Sequence, residues 1–220
     1  MNVLTLVRNE DAGTDLRLLT FAESLDGFVH PGQFVVAHPE GMDKAFFALA
    51  SCPGEPTQLL IKQSGATAEY LCGLASGATV PVSDPMGKGF PIPADDTRPL
   101  VILATGSGIS AVRSVIEAEI ASGLKREVHF LYGVFTVEHC SFTDRLAAWT
   151  DAGVKVHIVL SDPPEAWSGP TGFVQQAAVE LGMVRSDVVV VLCGFPGMIE
   201  QAKALYTEAG ASADDLLTNF

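Results

Sequence analysis

Residues 101–114 read VILATGSGISAVRS, and this stretch decides the fold. A continuous apolar run ends at Gly106-Ser107-Gly108, and a helical pattern follows at once. A run without polar alternation is what a strand buried on both faces requires. Small residues after such a strand let the backbone approach a pyrophosphate. The helix that follows offers free N–H groups and the positive end of its dipole. Ala111 completes the small-residue spacing G-x-G-x-x-G/A. The alternative is a tight turn that holds no ligand.

Downstream the same pattern repeats. EVHFLYG (127–133), VKVHIVLS (154–161) and DVVVVLCG (187–194) read as strands. SAVRSVIEAEIAS (110–122), CSFTDRLAAWTDAG (140–153), FVQQAAVELG (173–182) and GMIEQAKALYTEAG (197–210) read as helices, and DDLLTNF (214–220) as a last short strand. Strands alternating with helices predict a doubly wound sheet of five parallel strands with right-handed crossovers. The carboxylate that usually follows the second strand to hold a ribose is missing. Phe135 and Thr136 stand there, and the first acid is Glu138.

Upstream the pattern changes. VLTLV, LRLLTF, GQFVVAH, AFFALAS, QLLIKQ and ATVPVS are short runs, rich in β-branched and aromatic residues, broken by EDAGTD, HPGQ, CPGEP and DPMGKGFPIP. Short strands at close spacing predict a small six-stranded antiparallel β-barrel or sandwich, with ATAEYLCGLA as one short helix. The boundary falls in PIPADDTRP, giving units 1–97 and 98–220.

The 220 residues carry 13 Lys plus Arg against 26 Asp plus Glu, a formal charge of −13. That balance argues against nucleic acid or an anionic membrane as partner. No apolar stretch is long enough to span a bilayer, and the N-terminus lacks the marks of a signal peptide. A cytoplasmic protein is expected, although a mature organellar chain has the same appearance. Cys52, Cys72, Cys140 and Cys193 have no metal or cluster spacing, and five scattered histidines form no HxxxH pattern, so no metal site is expected.

The last long strand ends in Cys193-Gly194, then Phe195-Pro196-Gly197 before a helix. Gly194 permits a sharp turn at the carboxyl edge of the sheet, where open α/β folds place ligands. An inert buried thiol and an ordinary helix start are the alternative.

These segments, in order, resemble the ferredoxin–NADP reductase superfamily across nearly the whole chain. PGQFV resembles the strand before the flavin motif, FFALASCPGE the Arg-x-Tyr-Ser-x-x-Ser segment, and LLIKQSGATAEYL the stretch that holds the flavin pyrophosphate. VSDPMGKGF resembles the family's Gly-Pro-x-Gly-x-Phe loop, ATGSGISAVRS its Gly-Thr-Gly-Ile-Ala-Pro-x-x-Ser, and LCGFPGMI its Cys-Gly-Pro-Pro-x-Met. The resemblance implies an FAD-binding barrel followed by an NAD(P)-binding domain. It implies hydride transfer between nicotinamide C4 and FAD N5, with electrons passed to an external acceptor.

On that resemblance Phe47, Ala48, Leu49, Ser51, Lys62, Gly65, Ala66 and Thr67 are the flavin-binding candidates. Thr105, Gly106, Ser107, Gly108, Gly194, Phe195 and Pro196 are those for the nucleotide. Cys193, Phe47 and Phe220 fall at catalytic positions, Phe47 as the flavin-stacking ring and Phe220 as a terminal aromatic cover. The bland alternatives are a core aromatic for Phe47 and a hydrophobic plug for Phe220. Three departures thin the flavin site: Ala45 replaces the pyrophosphate Arg, Ala48 the Ser that contacts N5, and Ala68 the helix-start Ser/Thr. Lys44, Lys62 or Thr67 is the candidate to compensate. At the nucleotide end Ala111 replaces the family's usual Pro, and only Arg113 is available for a 2′-phosphate, so NADH is the expected nucleotide. Two other readings remain open: a reductase that takes free flavin as substrate, and a non-catalytic electron-transfer or structural subunit. The acceptor is not legible.

Overall fold

The computed structural model describes residues 1–93 and 95–219. Strands β1 (Asn2–Asp11), β2 (Leu16–Phe21), β3 (Phe34–Ala37), β4 (Ala45–Ala48) and β5 (Gln58–Lys62) come first. Helix α1 (Ala66–Cys72) and strand β6 (Thr79–Val82) follow. These six strands form one antiparallel sheet in the order β4-β3-β6-β1-β2-β5. The two edges meet beyond β4, where Leu49 bridges Leu59 and the Ala50 N–H donates to the Gln58 carbonyl at 2.8 Å. The sheet thus curls into the expected barrel. Alternation sends Leu4 and Leu6 of β1, Leu19 and Phe21 of β2, Val35 and Ala37 of β3, and Leu59 and Ile61 of β5 into one buried core.

The second sheet is built from β7 (Leu100–Thr105), β8 (Val128–Val134), β9 (Lys155–Leu160), β10 (Val189–Cys193) and β11 (Leu216–Leu217). Its order is β11-β10-β7-β8-β9, all parallel. The interleaved helices are α2 (Ile109–Ala121), α3 (Thr143–Asp151), α4 (Val174–Glu180) and α5 (Pro196–Glu208). Successive residues of β7 face opposite ways. Leu100, Ile102 and Ala104 pack with α2 and α3, while Val101 and Leu103 pack with α4 and α5. Both faces are covered, which is why the strands read as unbroken apolar runs. The order in which strands are added reverses at β7, leaving a crevice between the carboxyl ends of β7 and β10.

The two sheets are joined by specific bonds. The Ser141 hydroxyl donates to the Ala12 carbonyl at 2.5 Å, and the Thr14 N–H donates to the Glu138 carbonyl at 2.8 Å. Arg98 lies just before β7 and is clamped by Asp96 and Asp215, at 2.6 Å each. Among the described residues, no helix is long and apolar enough to cross a membrane.

Candidate functional site

The two turns that end β7 and β10 lock against each other. Gly194 has φ +135°, and a Cβ there would overlap the Thr105 hydroxyl and lie 2.9 Å from the Thr105 nitrogen. A Cβ on Gly108 would lie 2.7 Å from the Cys193 carbonyl oxygen. Only glycine allows these backbones to cross so closely. The Phe195 N–H then donates to Thr105 Oγ1 at 2.9 Å. From beneath, the Tyr132 hydroxyl donates to the Gly106 carbonyl at 3.1 Å. Burial pushes that phenol well above its ordinary range, so it stays a protonated donor.

A cleft of about 900 Å³ opens between this junction and the barrel. Its barrel wall carries Phe46, Phe47, Ala48, Lys62 and the Gly65-Ala66-Thr67 turn into α1, and its other wall carries Thr105 through Gly108, Cys193, Gly194 and Phe195. A second cavity of about 460 Å³ lies beyond the same turn, walled by Phe135, Phe173, Met198 and Gly133. Thr105, Gly106, Ser107, Phe195 and Lys62 line both cavities.

Most of the residues expected from the sequence therefore meet in one place, and several do not. Leu49 is fully buried in the barrel core, and Ser51 is buried with its hydroxyl accepting from the Gln58 N–H at 3.3 Å. Neither lines the cleft, nor does Pro196, which opens α5, nor Lys44. Phe220 lies outside the described residues. The Thr67 hydroxyl donates its proton to the Asp43 carbonyl at 2.9 Å and is committed there.

The phenylalanine pair divides its work. Phe47 sits opposite Val35 across the β3–β4 ladder and packs on the barrel core, whereas Phe46 pairs with Val36 on the other face. Phe46 is 67% exposed and lies 6.0 Å from the Phe34 ring. Phe46 and the half-buried Phe47 both line the cleft, Phe46 with the larger exposed area. Asn219 was missed. Its amide donates to the Gly32 carbonyl at 3.1 Å, and its oxygen lies 3.8 Å from the Cys193 sulfur, so it ties barrel to sheet at the cleft wall. Burial pushes the Cys193 thiol up to about 12. It is a neutral, compact wall element at pH 7.

Arg113 corrects an expectation. It is buried and turned away from both cavities, donating to Gln58 at 2.6 Å beside Glu55 and lying over the Phe142 ring. It is not available to a 2′-phosphate. Its partner Gln58 belongs to the barrel, a pairing no local pattern signals.

A family described as "Oxidoreductase NAD-binding domain" matches residues 102–204. The chain is 30% identical to ferredoxin–NADP reductase B of Sorangium cellulosum over 183 residues, covering 78% of this chain and 75% of that protein. It is 32% identical to fruit protein pKIWI502 of Actinidia deliciosa over 208 residues, 86% of this chain and 66% of that protein. A crystal structure of an Amycolatopsis cytochrome P450 reductase superposes with a TM-score of 0.88 at 25% identity, covering 99% of this chain and 69% of the other. The chain spans about half to two thirds of the length of the curated relatives it matches first.

Proposed function

Because this chain belongs to the ferredoxin–NADP reductase superfamily, we propose that it is an FAD-dependent NAD(P)H oxidoreductase that passes electrons to an external acceptor. The observation that carries the reading is the shared wall, Thr105-Gly106-Ser107 with Phe195, between a barrel-side cleft and a strand-edge cavity. Ligands held in the two cavities would share the residues of this border and so would lie next to one another.

When bound, the flavin supplies the hydride acceptor and the outlet for electrons. The protein supplies orientation. Phe46 offers a stacking surface, worth about 1–3 kcal/mol for a flat heteroaromatic ring. The crossed glycines at 108 and 194 let the two turns pack together at the cleft wall. Backbone N–H groups of the turn after β7 would hold a dinucleotide phosphate, with the α2 dipole behind them. Cys193, neutral and held by Asn219, fixes the floor without competing chemistry.

NADH is the better-served nucleotide. Among the described residues lining the second cavity, Lys62 is the only Lys or Arg, and Arg113 is engaged elsewhere. We place the functional division at 1–97 and 98–220, and the protein in the cytoplasm. An anaerobic visible spectrum with FAD tests the reading. NADH should bleach the flavin band, and NADPH should do so more slowly. A bound flavin that neither nucleotide reduces would leave the subunit reading standing instead.

A further inference from the structure

Two histidines that line neither cavity of the site are stacked on each other. His129 of β8 lies opposite Lys155, and His157 of β9 lies opposite Leu131, so both side chains take the sheet face of Leu131 and Val159. Their rings lie 6.1 Å apart and within 9° of parallel. His129 Nε2 is 3.4 Å from a Glu127 oxygen that Lys155 also holds. His129 Nδ1 and His157 Nε2 are buried, with no hydrogen-bond partner among the described residues. Arg185 lines the same small cavity as His129 and is paired with Asp187 at 3.0 Å. On its other side His157 borders a groove with Trp167 and Cys140, whose thiol burial raises to about 11.

A neutral imidazole has one N–H and one lone pair, whereas an imidazolium has two N–H groups. A second N–H on His129 would have no acceptor here, and a buried donor without one is costly. Two stacked cations also repel, and Lys155 and Arg185 add to that repulsion. The carboxylates that could offset it, Glu127 and Asp187, are already held by Lys155 and Arg185. The pair is built for the neutral state. Its strand β9 ends the sheet, with β8 as its one neighbour in the strand order. Past the pair, the Leu160 N–H donates to the Pro170 carbonyl at 3.2 Å and its carbonyl accepts from the Gly172 N–H at 2.9 Å. Ser161, Gly172 and Phe173 line the second cavity.

We propose that the His129–His157 stack is a pH-sensitive latch, which closes β9 on β8 when neutral and lets β9 part when protonated, slackening the wall of the second cavity. The consequence for a nucleotide in that cavity rests on the function proposed above; the parting of the strands does not. Burial holds both imidazoles below the ordinary histidine range, and the charges of Arg185 on His129, and of His129 and Lys155 on His157, add to it. Parted strands return them toward about 6.5. The open form then binds protons more readily. The latch is therefore complete above about pH 6.5 and is lost as pH falls through the lower folded values.

Hydrogen exchange of the full chain at pH 7.5 and 5.5, corrected for intrinsic rates, tests the latch. Opening of the β9 amides should rise about tenfold or more at the lower pH, since each proton taken up contributes up to tenfold per pH unit, while β7 and β10 hold. His129→Phe combined with His157→Phe keeps two stacked rings and should reduce the rise to under about twofold. Should that variant not fold, imidazole NMR titration of the parent decides: the pair should take up its two protons at separate pH values. Equal β9 protection at both pH values, or two independent titrations, overturns the latch. NAD⁺ titration reads the cavity. Its affinity should fall about threefold or more at pH 5.5 in the parent and hold in the double variant. An unchanged parent affinity refutes the coupling to the cavity, and no binding at pH 7.5 refutes the nucleotide reading instead.

Discussion

Gly194→Ala tests the crossing of the two turns, and its cost can be built from parts. The added methyl would meet the Thr105 hydroxyl and lie 2.9 Å and 3.0 Å from the Thr105 nitrogen and oxygen. Those last two are backbone atoms of a central strand that cannot yield cheaply. Overpacking of this kind costs about 1–3 kcal/mol. The φ of +135° adds strain of about 1–2 kcal/mol for an L side chain. Displacing the Phe195 N–H from Thr105 Oγ1 adds about 1 kcal/mol. The total is roughly 3–6 kcal/mol, a large share of a typical domain's stability. Gly123→Ala supplies the comparison. Its φ is +86°, but no atom lies within 4 Å of the built Cβ, so it carries strain alone, about 1–2 kcal/mol. Urea unfolding reads the difference. With a slope of about 2 kcal/mol/M, Gly194→Ala should lower the midpoint by roughly 1.5–3 M and Gly123→Ala by under about 1 M. Equal shifts would show that strain, and not the crossing, sets the cost, and the packing argument would fall.

Four further outcomes are expected. Phe46→Ala should weaken flavin binding about tenfold without moving the unfolding midpoint, whereas Phe47→Ala should lower the midpoint, as ring truncation from the barrel core does; flavin titration and urea curves check both. Arg113→Met should cost about 2–3 kcal/mol by leaving Gln58 unpaired, yet leave the ratio of NADH to NADPH activity unchanged. Asp96 is held below the usual carboxylate range by its hydrogen bonds to Arg98. Its contribution is therefore complete above the unfolded value of about 3.9 and is lost as pH falls through the lower folded value; Asp96→Asn should lower Tm at pH 7 and differ little from the parent at pH 2. Burial raises the Cys52 and Cys140 thiols to about 11 and Cys193 to about 12, so iodoacetamide at pH 7.5 should label them slowly until urea is added, as mass spectrometry will show.

The parallel sheet was legible because its central strands β7 and β10 are buried on both faces and each ends at a glycine turn. VILAT and VVVVLC leave no other reading at their lengths. The barrel was legible in number of strands but not in their extent. VLTLV is five residues, whereas β1 runs from Asn2 to Asp11. Its polar half is held by Arg17, which donates to Asn9 from the paired strand and bridges Asp11, and no apolar alternation marks such a ribbon. In the site, the glycine turns announced themselves by spacing. Which of Phe46 and Phe47 packs on the barrel core was not legible, because two adjacent aromatics carry no sign of which face each takes until the register with Val35 and Val36 is known. Tyr132 and Asn219 were missed for a different reason. Each acts through hydrogen bonds to segments remote in sequence, and such bonds leave no periodic trace.

Phe195 sets a matter of time. Its backbone is pinned to Thr105, while its ring is 71% exposed and borders both cavities. An exposed side chain changes rotamer in picoseconds to nanoseconds, whereas loop and domain closures take microseconds or longer. Movement of that ring reshapes the border the two cavities share, and with it any passage across that border, with no shift of the main chain. Enzymes of this kind turn over in about a millisecond or slower, so the ring equilibrates many thousands of times per cycle. The passage is never what a substrate waits for.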